Sequence, residues 1–440
     1  MPKGGSSVNT LQSYLIALFI GLLVGNRDIP GLVGIFYATL ALVILYNALE
    51  NKAERVLTLL PFLIYSEMFM RSYVPWIPYL FMPYFYLLVF SILIANQGSS
   101  LKVHSRYFVL IFIFLLIELI NSFRTSDSDN ARSLLINSSV LVLIAFWSSA
   151  NVLSPVLANR ILNSFKLAGF YLCGIILMRY LKGSIEFQSH SGSEGTNGLA
   201  PVQTSGYLGF AASLFFFSIM NGAEERKNLF INIFALALSS VFMLLSFSRG
   251  GVYFLIIMIV LYVIFNYNNL KKYVFLVMLL PLALIVYDFV SAKTNGLIEA
   301  RYEQEGTSGR EDLLMAAYNL FKEKPLTGVG VGNFNEEIIT NKLYGEESGV
   351  HNEFARVPAE DGILGLIFYW GFFASMLINI VGRKKIQREY AIYFFVFFGL
   401  IIVHNGLKIS LQPYLLLLVI ATPSFNKIKV HGITDRIQQS

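Results

Sequence analysis

Apolar runs of membrane-spanning length recur from one end of this sequence to the other. A hydrocarbon core about 30 Å thick takes roughly twenty helical residues to cross, and it offers no water to unpaired backbone groups. A chain of such runs is confined to a bundle of helices. About fourteen segments reach spanning or near-spanning length. They lie at 11–25, 31–49, 56–70, 78–96, 107–123, 133–150, 167–181, 205–221, 228–247, 251–267, 273–291, 362–381, 389–404 and 409–423. Only 14% of the 440 residues are charged, against about 25% in soluble chains, so a soluble class is excluded. The expected fold class is all-α, a polytopic integral membrane protein with about 12–14 transmembrane helices. The single cysteine, Cys173, lies inside an apolar run, which rules out an internal disulfide and a cysteine-rich metal site. The first run, LQSYLIALFIGLLVG, is followed by no obvious small-residue cleavage site and reads as a retained helix.

Basic residues order the connections. With a cytoplasmic N-terminus, the inside connections are KAER (52–55), KVHSR (102–106), NRILNSFK (159–166), EERK (224–227), LKK (270–272), RKKIQR (383–388) and the tail KIKVHGITDR. Each carries at least two Lys or Arg, and the C-terminus is also placed inside. The net charge of +6 is largely this asymmetry and implies no nucleic acid. Residues 1–440 read as a single integral membrane domain, with 292–361 as one large outer loop.

That loop holds two patterns. In TSGREDLLMAAYNLFKEKP, Ser308 followed by Glu311 is a capping-box signature, and Pro325 marks a helix end. Leu313, Leu314, Ala317, Tyr318 and Phe321 would share one face, so a helix packed flat on the membrane domain is expected. PLTGVGVGNFNEE follows, with Gly328, Gly330 and Gly332. It lacks the GK[ST] ending of a phosphate loop and does not fit GxGxxG. It reads as a tight turn that brings the backbone close to something, with anion binding by its amides as the alternative. Next comes HNEFARVPAEDGILG, residues 351–365. Pro358 suits the first turn of a spanning helix, with Glu360 and Asp361 in that turn and His351, Asn352 and Arg356 just above it. No second His or Cys sits near His351 at ligand spacing, so no metal is expected.

The stretch is an HN-x9-G-x-x-G pattern ending at Gly362 and Gly365, preceded by SGRxxxL…NLFKEKPLTGVGVGNF and, upstream, by SRGG. In this order, over roughly 240–380, it resembles the bacterial O-antigen polymerase and O-antigen ligase superfamily. The resemblance implies a membrane glycosyltransferase C-type fold in the bacterial inner membrane, with a periplasmic active site. It implies a donor oligosaccharide linked to undecaprenyl pyrophosphate, no cofactor, and contact with membrane lipids. A polymerase would pass the growing glycan to the next lipid-linked repeat unit, alongside a chain-length regulator protein. A ligase would pass it to the lipid A core. The motifs do not separate the two; polymerase is taken first, ligase as the alternative, and a lipid-linked oligosaccharide transporter third.

The residues fit that chemistry. A departing pyrophosphate concentrates negative charge, and each guanidinium offers a planar fork to phosphate oxygens. Arg249 and Arg310, from SRG and SGR, are the first candidates for stabilising it. Arg301 and Arg356 come second, as substrate-binding residues; lipid-headgroup contact or loop salt bridges are the alternatives for all four. His351, the motif histidine by resemblance, is the candidate general base. Glu353 is a second base or substrate contact, and Asn352 would orient the site. A polyprenyl tail calls for a lateral groove, which YLFMPYFYLLVF (79–90) could line, although aromatics at helical spacing more often simply pack. His404, in VHNGLK, lacks the following GxxG and receives no role. A transporter would instead use the intramembrane acids Glu67 and Glu118, with Asp288 near a helix end.

Overall fold

The computed structural model describes residues 10–26, 30–73, 80–98, 105–185, 201–221, 226–303, 310–341, 352–407 and 410–423. These residues form helices and no strand. In chain order the first six helices are α1 (Thr10–Gly25), α2 (Pro30–Leu49), α3 (Ala53–Tyr73), α4 (Phe81–Gln97), α5 (Arg106–Ser122) and α6 (Ser128–Ala150). Then come α7 (Pro155–Leu181), α8 (Pro201–Asn221), α9 (Arg226–Leu245), α10 (Gly250–Phe265), α11 (Leu270–Met278) and α12 (Leu280–Thr294). The last six are α13 (Leu297–Glu303), α14 (Arg310–Glu323), α15 (Phe334–Thr340), α16 (Glu353–Val381), α17 (Lys385–Asn405) and α18 (Leu411–Ile420).

Among the described residues, each apolar run expected to span falls on one helix, except 273–291, which is divided between two. Among the described residues, six helical segments, one of them α11 and α12 taken together, are long and apolar enough to cross a membrane, and six shorter apolar helices accompany them. Large apolar side chains such as Leu15, Phe19, Ile35 and Leu42 are exposed on the outside of the bundle, as lipid-facing positions should be. With lipid as solvent, helices gain little by hiding apolar groups from it, so close backbone approach matters more. Small residues supply it. A Cβ on Gly21 of α1 would sit 2.2 Å from the Tyr171 carbonyl oxygen on α7, and one on Gly209 of α8 would sit 2.7 Å from that of Gly251 on α10.

Three elements depart from the sequence reading. The run at 273–291 is two helices, broken at Leu279, with Pro281 in the first turn of α12, where its missing N–H costs nothing. NRILNSFK is not a connection but the early turns of α7, which starts at Pro155 under a Ser154 cap whose hydroxyl accepts from Leu157 N–H. The third is α16. It begins at Glu353, with Asn352 as cap, so Pro358 lies inside the helix and not in its first turn. The helix is interrupted at Gly362, whose backbone is left-handed at φ 65°.

The described residues of 292–361 form α13, α14 and α15 and the start of α16, and α14 packs on α16. Its buried face is Leu313, Ala316, Ala317 and Leu320, while Leu314 and Tyr318 are exposed. The face is therefore rotated from the expected one, because two alanines permit close approach to the helix beneath. With Val329, Phe334, Ile338 and Ala359 it forms a small core separate from that of the bundle. Ser308 of the capping box lies outside the described residues.

Gly362 joins this core to the membrane helix. A Cβ there would lie 2.6 Å from the Leu326 carbonyl and 2.8 Å from Gly328 N. Gly362→Ala is expected to lose at least about 1–3 kcal/mol from the backbone alone. Thermal unfolding of the detergent-solubilised protein reads this. Gly399→Ala, where a Cβ meets nothing within 4 Å, is the control.

Candidate active site

The SRGG turn joins α9 to α10. Ser205 of α8 holds it from below: its hydroxyl donates to the Ser248 carbonyl at 3.0 Å and accepts from Gly251 N–H at 2.9 Å. A Cβ on Gly251 would stand 2.2 Å from the Ser205 carbonyl oxygen, so the second glycine of the motif is a contact requirement. Arg249 is thereby placed at the mouth of α10, half-buried, with its guanidinium 5.7 Å from the Tyr302 ring centroid. Arg310, half-buried, opens α14. Burial, and then the charge of Arg249, lower its pKa from the ordinary arginine value. The two first-choice arginines are thus close enough to repel each other, although distant in sequence.

His404, which the sequence reading left without a role, lies against this turn. A Cβ on Gly250 would stand 2.3 Å from its Nε2, so the first glycine of the motif makes room for the imidazole. The ring is buried near the end of α17, 2.8 Å through Nδ1 from Asn405 Oδ1 and edge-on to Phe254. Three residues on, Leu407 N–H donates to Glu353 Oε1 at 3.0 Å. The last turn of α17 therefore touches SRGG, and the turn that follows it touches the start of α16, beside the HN motif. The signal in the sequence was the second HN pair; what hid its meaning was that Gly250 lies far away along the chain.

Arg356 is elsewhere than a phosphate site would require. It is buried, and its guanidinium is spent on carboxylates: Nε donates to Glu353 at 2.7 Å, Nη2 to Glu118 at 3.1 Å, and Nη1 to Glu360. Glu360 also accepts from Phe334 N–H, and Asp361 accepts from Asn121 at 2.9 Å. Glu360 and Asp361 are thus interior anchors for α5, α15 and α16, and not first-turn charges exposed at a helix start. Glu353 has both oxygens engaged, by Arg356 and by Leu407 N–H. Asn352 caps α16, its Oδ1 accepting from Phe354 N–H at 3.0 Å. Arg301 belongs to α13, next to Tyr302, and its side chain is outside the description. His351 lies outside the described residues.

The glycine turn has found its partner. Val329 N–H donates to the Ala359 carbonyl at 2.9 Å and Gly330 N–H to the Glu360 carbonyl at 3.0 Å, across the kink of α16. Gly328 N–H donates to the Lys324 carbonyl at 2.8 Å. These amides are consumed by backbone, which removes the anion-binding alternative for them. A Cβ on Gly328 would meet the Glu360 carbonyl oxygen at 2.2 Å.

A lateral apolar groove of about 490 Å³ runs between α9, α10 and α12. Met243, Leu244 and Val252 line it close to Arg249 in the chain. It is not lined by 79–90: Phe85, Tyr86 and Phe90 are buried in the core. The intramembrane acids have separate partners, Glu118 through Oε1 with Arg356 and Glu67 with the Tyr207 and Ser410 hydroxyls at 3.1 and 2.6 Å.

Residues 234–370 match the family model described as O-antigen ligase. The likeness to that family covers this region, about a third of the chain. The match supports the O-antigen polymerase and ligase superfamily, whose members are glycosyltransferase-type enzymes. No curated protein matches the chain. The matched region runs from α9 into α16, so it contains SRGG, Arg310 and HN-x9-GxxG and stops before His404.

Proposed function

We propose that this protein transfers a glycan from undecaprenyl pyrophosphate to the next lipid-linked repeat unit, as a surface-polysaccharide polymerase of the bacterial inner membrane. The observation that carries the reading is the pairing of Arg249 and Arg310 near a lipid-facing apolar groove. Two mutually repelling guanidiniums are a receptor for concentrated anionic charge, and a pyrophosphate at the membrane surface supplies it. The polyprenyl tail would lie in the groove between α9, α10 and α12. The acceptor hydroxyl attacks the anomeric carbon, its proton passing to His351, while the bond to pyrophosphate breaks and the carrier leaves with the electron pair. A single displacement inverts the anomeric centre, so a retained configuration in the product overturns this step. Arg356 and Glu353 hold the start of α16 in place. By the positive-inside ordering the site faces the periplasm.

A second reading, ligation to the lipid A core, is favoured by the description of the matched family. The surface polysaccharide ladder of a deletion strain separates them. A single repeat unit on the core, with the ladder restored by the wild-type gene, supports polymerase. Bare core with long chains left on the carrier supports ligase. An unchanged ladder overturns both. Transport is less well supported, since Glu67 and Glu118 are each tied into separate hydrogen-bonded clusters.

His404 is assigned here as a positioning residue for the Arg249 turn. His404→Leu is expected to reduce turnover by about 10²-fold, the scale of a small misplacement of reacting groups. KM should change less than kcat, the unfolding temperature should stay near wild type, and His404→Gln should recover part of the rate. Full turnover in His404→Leu would remove the role.

A further inference from the structure

We propose that α14 is an interfacial helix: one side packs on α16, and a second, apolar side lies against lipid, at the boundary between headgroups and acyl chains. The helix has three distinct sides. Leu313, Ala316, Ala317 and Leu320 are buried in the small core. Leu314, Met315 and Tyr318 are exposed, and at 3.6 residues per turn they share a second side with the half-buried Phe321. The third side is polar, with Asp312, Asn319 and Glu323. The apolar face read from the sequence is therefore split between two neighbours. A helix that separates a protein core from water needs one apolar side. A helix at the rim of a membrane domain meets protein, lipid and water, which is the division found here. Glu311 and Lys322 also fall on the second side, but one is in the first turn and the other in the last, where long side chains reach out to water. The Lys322 ammonium lies 5.5 Å from the Tyr318 ring centroid.

The spanning helices set the depth of α14. At its start, Arg310 is within electrostatic reach of Arg249 and Tyr253, where α10 begins. Past its end, the Pro325 carbonyl accepts from Ile363 N–H at 2.8 Å, beside the α16 kink. From Gly362 to Val381, α16 runs for twenty residues, or about 30 Å, the thickness of a hydrocarbon core. The kink therefore lies at one edge of that core, and the segment that follows α14 lies there with it. Exposed apolar surface crosses the same edge. Leu364 and Ile367 are exposed on the spanning part of α16, and Leu326, whose carbonyl crowds Gly362, is exposed beside the kink. Tyr253 of α10 is exposed near the other end of α14. A tyrosine with an apolar ring and a polar tip suits this depth, as Tyr318 would. Seated in this way, α14 holds its first residue, Arg310, at headgroup level. The seating does not depend on glycan transfer.

The test uses the full-length protein in phosphatidylcholine nanodiscs, which leave both membrane faces open to solutes. Cys173→Ser removes the one native thiol. A nitrobenzoxadiazole label is then placed at Met315→Cys, at Tyr318→Cys or, on the polar side, at Asp312→Cys. Quenching by a nitroxide high on the lipid acyl chain is compared with quenching by aqueous iodide. The labels at 315 and 318 are expected to emit further to the blue than the label at 312. Lipid nitroxide should quench them more than iodide does, and at 312 the order should reverse. Two apolar positions keep the test available if one variant fails to fold. Iodide quenching at 315 and 318 as efficient as at 312 would place this side in water and overturn the proposal. Labels at 315 and 318 shielded from both quenchers would show that protein covers the side, a second copy of the chain included, and would overturn the lipid seat. Because the readout is depth, these outcomes are separate from the loss or retention of glycan transfer.

Discussion

Arg310→Ala is expected to lower glycan transfer by about 10²–10³-fold, the usual cost of removing one preorganised donor from a developing anion. The protein should remain folded, because Arg310 is half-buried at the first residue of α14 and the small core beneath that helix is made by Leu313, Ala316, Ala317 and Leu320. Arg249→Ala should have an effect of similar size. The double variant should be little worse than either single one, since the two cations act on one anion and their losses are not additive. Arg310→Lys should recover only a part, as a point charge lacks the bidentate fork. Burial and the Arg249 charge lower the Arg310 pKa from its ordinary value, and the two causes act in the same direction. Bound pyrophosphate would reverse the second of them, so the donor should bind more weakly as ionic strength rises. Transfer from a purified lipid-pyrophosphate glycan in nanodiscs measures all of these. An Arg310→Ala protein with near wild-type rate would refute the anion site.

Arg356→Ala should instead cost stability, about 3–5 kcal/mol, the range for stripping the cation from a buried ion cluster. The loss leaves Glu118, Glu353 and Glu360 facing one another out of reach of water. Glu118→Gln should be far milder, because it reduces the acidic excess while leaving two carboxylates on the guanidinium. Denaturant unfolding in detergent, with yield of folded protein, reads the difference. The outcome separates two jobs for this arginine. If it contacted pyrophosphate, Arg356→Ala would be stable and inactive; as a cluster cation, it makes the protein unstable, and activity falls with the folded fraction.

Much of the membrane architecture was legible because lipid imposes a one-dimensional rule. Each run long and apolar enough to span became helical, one of them as two helices, and Pro281, Pro155 and the Ser154 cap mark ends that local chemistry dictates. The misreadings arose where a local rule met a distant partner. Pro358 looks like a helix start, but the Asn352 cap and the Arg356 cluster begin α16 earlier. The glycines at 328–332 do make the expected close backbone turn; only the alternative, an anion loop, fails, because the α16 kink takes two of the turn's amides. Glu360 and Asp361 look like dipole partners, yet Phe334 N–H, Arg356 and Asn121 claim them.

By itself, the sequence determined the solvent this chain folds in, its helical class, and which residue types are set aside for chemistry. Those follow from composition, period and motif, each of which is a property of neighbouring residues. The tertiary structure alone decided which charges surround each cation. Arg310 feels the charge of Arg249 near the start of α10, whereas Arg356 is surrounded by acids from α5 and α16. It alone brought His404 to Gly250. A guanidinium's role depends on the charges a few ångströms away, and in a helical bundle those neighbours come from other helices, at sequence separations that no local pattern records.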